Sequence, residues 1–362
     1  MEQKKERILF IDLMRALAVL LMVQGHTIHT LLGSEYRTLD SVFFYSWHTI
    51  RGFTAPIFMF TAGLAFTYLL RENKQPVKGN VRIKKGLKRV GILLGIGYLL
   101  RFPTYDIFNF SDVTYAQWQT FFTVDALHLI GMGLLFVIGL VYLGEKLKLT
   151  DNVIFTFGAL FFFLFAPSVL SSNLYTHFPG PIAAYFTERG GSLFPLFPWA
   201  GYVISGAILG SFIANNKTFA KTKVFSYNLI FIGSLAISLS AIISQLNIHG
   251  AIKDAYWVEI TKLILLRVGV VTALYGIASI LEKKITYLPK IVRQMGSNTL
   301  LIYVAHLIIL YGCAWFPGIY SVAGERLNAF ASVSAALIMI TLMILMVIFT
   351  GKYKLYRKHA SQ

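Results

Sequence analysis

Segments of about 20 apolar residues recur along almost the whole chain, and this recurrence limits its fold more than any other feature. A bilayer core of about 30 Å is crossed by a helix of about 20 residues, and a backbone in lipid must pair its polar groups internally. Of the 362 residues, 56% are hydrophobic and only 14% are charged, whereas soluble domains carry roughly 25% charged residues. The sequence therefore predicts an all-α polytopic integral membrane protein.

Ten transmembrane helices account for the apolar segments. We expect the second and ninth to be broken or bent, the second at Pro56. No linker is long enough to separate domains, so one transmembrane domain is predicted over 1–362. The predicted spans are 9–31, 43–70, 87–103, 119–143, 152–170, 194–214, 226–246, 257–281, 296–316 and 328–350.

Basic residues concentrate in alternate loops, which indicates the orientation in the membrane. The loop at 71–89 carries eight Lys and Arg residues, whereas the loops on the other side carry one each or none. The positive-inside rule then places both termini in the cytoplasm. The net charge of +17 is thus explained by membrane orientation and not by nucleic-acid binding. The same basic residues can also attract phosphate-bearing ligands or anionic lipids. A bacterial cell membrane is the expected location, and a homodimer is compatible with the sequence.

The first predicted span contains two ionisable residues that share one face. Arg15 and His26 are eleven residues apart, so on a helix they align about 16 Å apart. Asp12 and His29 extend the polar stripe at i, i+3 spacing. Ionisable groups inside a membrane are candidates for function, although snorkelling, structural ion pairs and interhelical hydrogen bonds are the simpler alternatives.

Other spans supply polar groups at similar depth. His48 and Arg51 lie one turn apart in the second span, and Asp125 and His128 lie one turn apart in the fourth. An Asp–His pair is what a general base with an orienting carboxylate requires. No tight His or Cys ligand pair occurs, so no metal is expected. The remaining basic or polar residues inside spans are Arg101, Lys262, Arg267, Asn298 and His306.

An arginine followed by a histidine with ten residues between them, in the first span, resembles the signature of the acyltransferase-3 family. Four longer segments are similar to bacterial heparan-alpha-glucosaminide N-acetyltransferase-like membrane proteins. In chain order these are RILFIDLMRALAVLLMVQGH, RGFTAPIFMFTAG, SLFPLFPWAGYVISGAILG and MGSNTLLIYVAHLIILYG. They are widely separated, and together they extend over most of the chain.

This resemblance implies transfer of an acyl group, usually acetyl, from cytoplasmic acyl-CoA to a sugar or glycan across the membrane. By matched position, Arg15 would help to hold the CoA moiety and His26 would serve the transfer chemistry. His48 is a counterpart of a functional histidine in the lysosomal members, but its spacing to the following Pro-Phe segment differs. Transfer to an amine and transfer to a hydroxyl therefore both remain open.

Residues and resemblance together suggest a mechanism. His26, assisted by His48 or by Asp125 and His128, would take the acceptor proton or carry the acyl group itself. The external loop at 171–193 would form part of the acceptor mouth. In the basic loop, Lys84, Lys85 and Arg89 would attract the CoA phosphates. The residues expected to bind substrate or to stabilise the oxyanion are Arg51, Arg101, Arg267, Asn298 and His306.

A transporter or permease is the alternative from another class. Ten spans with buried charges also fit a substrate and proton pathway through Arg15, Arg267 and the histidines. No inverted repeat is evident in the sequence, which favours the enzyme. Consumption of a thioester would indicate an acyltransferase, and accumulation of substrate in vesicles would indicate a transporter.

Overall fold

The computed structural model describes residues 8–72, 75–248, 255–285 and 287–360, and most of these residues lie in helices. The helices are α1 (Leu9–Leu31), α2 (Val42–Arg51), α3 (Thr54–Arg71), α4 (Val81–Leu100), α5 (Tyr115–Phe121), α6 (Ala126–Leu147), α7 (Asp151–Leu164), α8 (Ala166–Ser171), α9 (Gly180–Ala183), α10 (Leu196–Asn215), α11 (Lys217–Ala220), α12 (Lys223–Ile248), α13 (Ala255–Lys284), α14 (Lys290–Ser297), α15 (Thr299–Tyr311), α16 (Tyr320–Ala323) and α17 (Ala329–Ala360). Two short strands, β1 (Gly312–Cys313) and β2 (Phe316–Pro317), pair antiparallel. Single 3₁₀ turns lie at Ser34–Tyr36 and Leu174–Thr176.

Eight helical segments of the described chain are long and apolar enough to cross a membrane. A ninth is present if α14 and α15, which are bent by 75° at their junction, form one span. The prediction of an all-α polytopic membrane protein is confirmed, as is the bend in the ninth predicted span. The eight segments are Leu9–Leu31, Val42–Arg71, Ala126–Leu147, Asp151–Ser171, Leu196–Asn215, Lys223–Leu246, Ala255–Lys284 and Ala329–Tyr353.

The third predicted span, 87–103, corresponds to α4, which is not one of these segments. The first half of α4 is too strongly charged for a lipid-spanning helix, and its basic residues are Arg82, Lys84, Lys85, Lys88 and Arg89. The loop predicted at 71–89 is therefore wrong from Val81 onward, where the chain is helical. The side chain of Asn80 accepts a hydrogen bond from the backbone N–H of Arg82, and this cap starts the helix before the apolar residues begin.

Two other predicted boundaries differ from the structure. The break in the second span lies at Gly52 and Phe53, between α2 and α3, and not at Pro56. Pro56 lies in the first turn of α3, where its missing N–H leaves no helical bond unmade. The fourth span begins at Ala126 instead of residue 119, because the Asp125 side chain accepts the backbone N–H of Leu127 and caps α6.

The described chain divides into two compact units. Unit 1 comprises the residues up to Phe58 and those from Leu281 onward, and unit 2 comprises Met59–Ile280. In unit 1, α1 packs against α14, α15 and α17. In unit 2, α10 packs against α6 and α7, and α4 packs against α6. The single domain over 1–362 and the cytoplasmic placement of both termini stay predictions.

Candidate functional site

In unit 1, α1 and α15 bring two of the predicted histidines together. His26 Nδ1 lies 3.0 Å from His306 Nε2, and the two rings stack with their centroids 5.2 Å apart. His306 is buried, whereas His26 is half-buried. The continuous helix predicted from Arg15 to His26 is present as α1, and a second helix meets it at the His26 end.

The hydrogen bonds of this pair specify which nitrogen is left to react. His306 Nδ1 lies 2.7 Å from the carbonyl oxygen of Ile302, so that nitrogen carries the proton and donates it. His306 Nε2 must then accept, and the donor is the Nδ1–H of His26. The remaining nitrogen of His26, Nε2, therefore carries a lone pair. A neutral imidazole held in this tautomer is suited to accept a proton.

Arg51, at the end of α2, lies beside this pair. The aliphatic part of its side chain packs against Gly25, and a Cβ built on Gly25 would lie 3.1 Å from Arg51 Cγ. The absence of a side chain at Gly25 thus brings a cation next to His26. Arg51 has no acidic partner among the described residues and lies with Cζ 5.4 Å from the centre of the Trp47 ring. A half-buried guanidinium without a carboxylate is free to bind an anion or a developing negative charge.

Neighbouring side chains hold the wall of this site in place. Trp47 Nε1 donates to Gln24 Oε1 over 2.8 Å, and Thr30 donates to the Tyr311 hydroxyl over 2.8 Å. The Tyr311 ring meets the His26 ring edge-on at 6.4 Å. His48, by contrast, is exposed and stacks on Phe44.

The other end of α1 holds Arg15. Arg15 lies 3.8 Å from Asp12 in an i, i+3 ion pair, and α14 packs against α1 at this level. A Cβ on Gly296 would lie 2.9 Å from the Asp12 carbonyl oxygen, so glycine permits the close approach. Asn298 occupies the bend between α14 and α15, where its amide donates to the Gln294 carbonyl over 2.8 Å. The broken span therefore contacts α1 near Arg15 with its first part and near His26 with its second.

In unit 2, Asp125 and His128 form the other predicted pair. Asp125 Oδ1 lies 2.9 Å from His128 Nδ1 and accepts the backbone N–H groups of Leu127 and His128. Asp125 Oδ2 faces Arg101 Nε at 3.6 Å. Arg101 also donates to the Thr123 hydroxyl. Most of the carboxylate is thus used to cap α6 and to pair with its neighbours.

The free nitrogen of His128 is sealed inside unit 2. The ring is 0% exposed, and Nε2 has no hydrogen-bond partner among the described residues. A Cβ on Gly97 would lie 2.8 Å from Nε2, so this nitrogen faces the backbone of α4. Tyr98 closes another side, with its ring centre 4.3 Å from that of His128. A substrate atom reaches Nε2 only if α4 moves.

The segment predicted as an acceptor mouth, 171–193, is tied to the residues around Asp125. Ser192 accepts the backbone N–H of Val124 over 3.0 Å, and the carbonyl of Val124 accepts the N–H of Leu193. The Tyr185 hydroxyl lies 2.9 Å from that of Tyr98. Burial and this hydrogen bond raise the pKa of Tyr185 well above its usual range, so its proton stays on the hydroxyl at neutral pH.

Arg267 lies elsewhere in unit 2, on α13. Its Cζ is 4.8 Å from the centre of the Trp199 ring, and its charge partly offsets the rise that burial gives to the pKa of Glu188. Arg267 is thus held by an aromatic face. The three basic residues predicted to attract CoA phosphates, Lys84, Lys85 and Arg89, are exposed on α4.

Several residues at these sites were not singled out from the sequence. Gln24, Trp47 and Tyr311 surround the histidine pair, and Gly97 determines how deeply His128 is buried. The only sequence signal for them was proximity to a predicted residue along one helix. Among the described residues, no group of three or more His, Cys, Asp or Glu side chains is placed to hold a metal ion.

Comparison with protein families settles the classification. The model described as heparan-alpha-glucosaminide N-acetyltransferase, catalytic, matches residues 7–243. The chain belongs to this family. No curated protein matches the sequence. The resemblance to heparan-alpha-glucosaminide N-acetyltransferases is therefore confirmed, and the chain is an integral membrane protein of an acetyltransferase family.

The family match also divides the candidate residues. Arg15, His26 and Arg51 in unit 1 and Asp125 and His128 in unit 2 fall within the matched range. Arg267, Asn298 and His306 lie beyond it. The histidine pair thus joins a residue of the heparan-alpha-glucosaminide N-acetyltransferase model to one contributed by the rest of the chain.

Proposed function

We propose that the protein is an acyl-CoA-dependent acyltransferase that moves an acyl group, most simply acetyl, onto a hydroxyl or amine of a sugar or glycan. The observation that carries this proposal is the His26–His306 pair, whose hydrogen bonds leave His26 Nε2 as a proton acceptor. The family match supports transfer over transport. A cytoplasmic acyl-CoA donor and an acceptor on the other side of the membrane belong to this proposal and are implied by the resemblance to the family.

In the proposed step, His26 Nε2 takes the proton of the acceptor O–H or N–H as its oxygen or nitrogen attacks the thioester carbon. The C–S bond breaks, the acceptor keeps the acyl group, and the departing CoA sulfur receives the proton from His26. His306 holds His26 in the reactive tautomer. Arg51, which lacks an acidic partner among the described residues, offsets the negative charge that develops on the thioester oxygen.

Arg15 is the residue that we assign to the donor at the other end of α1. It shares the helix with His26, and eleven residues of helix span about 16 Å, so an extended pantetheine arm can lie along α1 between them. The exposed basic face of α4, with Lys84, Lys85 and Arg89, can attract phosphates from solution. The segment 171–193 remains our proposal for acceptor binding.

Release of CoA thiol from acetyl-CoA by the purified full-length protein tests this function. The assay offers a panel of amino sugars and glycans, with acceptor omitted as the blank. Acceptor-dependent release, together with an acetylated product found by mass spectrometry, is the expected result. No release with any acceptor, combined with accumulation of a panel member in proteoliposomes, would contradict the proposal and favour the transporter.

The product also distinguishes the two acceptor chemistries. Treatment with mild base removes O-acetyl groups and leaves N-acetyl groups in place. A product that loses its acetyl group identifies hydroxyl acceptance, and a stable product identifies amine acceptance. Either outcome is compatible with a proton-accepting imidazole at His26.

A further inference from the structure

Arg293, on α14 of unit 1, is a basic residue that the site described so far does not use. Its Nε is buried and has no hydrogen-bond partner among the described residues. No acid pairs with Arg293 in the described part of the chain. Its Cζ lies 5.6 Å from the centre of the Tyr287 ring. A buried guanidinium N–H without an acceptor is costly, so this group is poised for an anion.

The position of α14 links Arg293 to Arg15. Gly296 packs against the Asp12 carbonyl, and a Cβ there would lie 3.4 Å from Arg15 Cβ. Arg293 precedes Gly296 by three residues, which is close to one helical turn of about 5 Å. The 75° bend after Ser297 keeps α14 at this end of α1 while α15 continues to His26. Arg293 and Arg15 therefore lie at the same end of α1.

Asp12 and Glu282, the acidic side chains that the structure describes at this end of unit 1, already have partners. Asp12 pairs with Arg15, and Glu282 accepts the backbone N–H of Leu9 over 2.7 Å. Further positive charge comes from Lys290 on α14 and from Lys352 on α17. Lys352 is close to α14, because a Cβ built on the neighbouring Gly351 would lie 3.1 Å from Gln294 Nε2. Among the described residues at this end, the basic side chains therefore outnumber the acidic ones, and arginine binds phosphate through two parallel N–H groups.

We infer that Arg293 binds a phosphate ester of the acyl-CoA donor, with Arg15 beside it. This inference rests on the proposed function and adds a binding residue to it, outside the range that the family model matches. It places the phosphate contact on α14 of unit 1, next to the helix that carries His26. The basic face of α4 is then an electrostatic attractor and not the phosphate-binding site.

Binding of acetyl-CoA and of acetyl-pantetheine, which lacks phosphates, tests this inference by calorimetry on the full chain in neutral detergent. Arg293→Gln should weaken acetyl-CoA binding about 10-fold or more, as expected for a lost charge-assisted hydrogen bond. It should leave acetyl-pantetheine binding unchanged. The affinity of Arg293→Lys for acetyl-CoA should lie between those of the wild type and Arg293→Gln, because lysine keeps the charge but not the paired N–H groups.

Two matched controls accompany these variants. Arg326→Gln removes an exposed arginine that donates to the Val322 carbonyl, and it should bind acetyl-CoA like the wild type. Lys84→Gln combined with Lys85→Gln removes charge from α4 and should change the equilibrium affinity less than Arg293→Gln does. Thermal unfolding of each variant shows whether the fold is intact.

The outcomes separate this inference from the proposed function. Wild-type protein that binds no acetyl-CoA would overturn both. Wild-type binding that Arg293→Gln leaves unchanged would overturn the inference alone, as would equal weakening of acetyl-CoA and acetyl-pantetheine. Retention of phosphatidylglycerol by the wild type and its loss from Arg293→Gln, with acetyl-CoA binding unaffected, would assign Arg293 to a lipid headgroup and also overturn the inference.

Discussion

Two hydrogen-bonded pairs that contain a histidine lie in the described part of the protein, and they differ in whether a ring nitrogen can be reached by a substrate. In unit 1, His26 hydrogen-bonds to His306 and keeps one nitrogen with a lone pair on a half-buried ring. In unit 2, His128 hydrogen-bonds to Asp125, but its other nitrogen is enclosed against Gly97. A carboxylate next to a histidine is therefore a weaker indication of a general base than a reachable ring nitrogen is.

The comparison also separates reactive from structural polar groups. Asp125 caps α6 and pairs with Arg101, so removing its charge mainly disturbs the fold. Arg51 caps nothing and pairs with no acid in the described chain, so we expect removal of its charge to affect the proposed chemistry more than the fold. The predictions below test this division, beginning with the largest expected effect.

His26→Ala should lower kcat for acceptor-dependent thiol release by about 10²- to 10⁴-fold, the usual contribution of a positioned acid–base residue. The fold should be retained, because His26 is half-buried and its loss leaves space instead of a clash. His48→Ala is the matched control, since His48 is an exposed histidine of the same unit. A His48 effect as large as that of His26 would contradict the assignment.

Arg51→Gln should lower kcat by about 10²-fold, as removal of an oxyanion-stabilising group does, and change KM for acetyl-CoA little. Arg51→Lys should recover part of the loss, since it restores the charge without the planar fork. Steady-state kinetics with varied acetyl-CoA measures both parameters. An increase in KM with unchanged kcat would show that Arg51 binds the ground state and not the transition state.

His306→Ala should lower kcat about 10-fold, because it removes the hydrogen bond that holds His26 in its reactive tautomer. Gln at this position offers an oxygen acceptor to His26 Nδ1, so His306→Gln should retain more activity than His306→Ala. The two variants are compared in the same thiol-release assay. Equal loss in both would indicate that His306 acts through packing alone.

Gly97→Ala should destabilise the protein with a small effect on kcat. Its Cβ would lie 2.6 Å from His128 Cε1, and such overpacking costs about 1–3 kcal/mol. Thermal unfolding should therefore occur at a lower temperature, with near-normal turnover per folded molecule below that temperature. Gly95→Ala on the same helix, where a Cβ meets nothing within 4 Å, is the control. Loss of turnover without loss of stability would make His128 a reactive group.

The sequence was sufficient for the class of fold and for the family, while the roles of the site residues stay predictions. Long apolar segments predict membrane helices by themselves, and the spacing of Arg15 and His26 predicted that both lie on one continuous helix, which is α1. The starts of α4 and α6 were not predicted correctly. A single capping side chain, Asn80 or Asp125, determines each start, and neither start coincides with the beginning of an apolar segment.

The difference between the two histidine pairs could not be predicted from the sequence. The seal over His128 depends on Gly97, which comes from another helix, and the tautomer of His26 depends on a carbonyl of α15. Such contacts arise only from packing. Arg293 falls between the predicted spans 257–281 and 296–316, and nothing in the sequence indicates that its Nε is buried, because that burial arises when α14 packs against α1.

Carbethoxylation by diethyl pyrocarbonate, which modifies reachable unprotonated imidazoles, tests the central claim most directly when the sites are mapped by mass spectrometry. The exposed His177, which lies outside the membrane-crossing segments, serves as the internal reference for complete reaction. We predict that His26 is modified and is protected by acetyl-CoA, while His128 stays unmodified in the folded protein. Modification of His128 with His26 untouched would contradict the account.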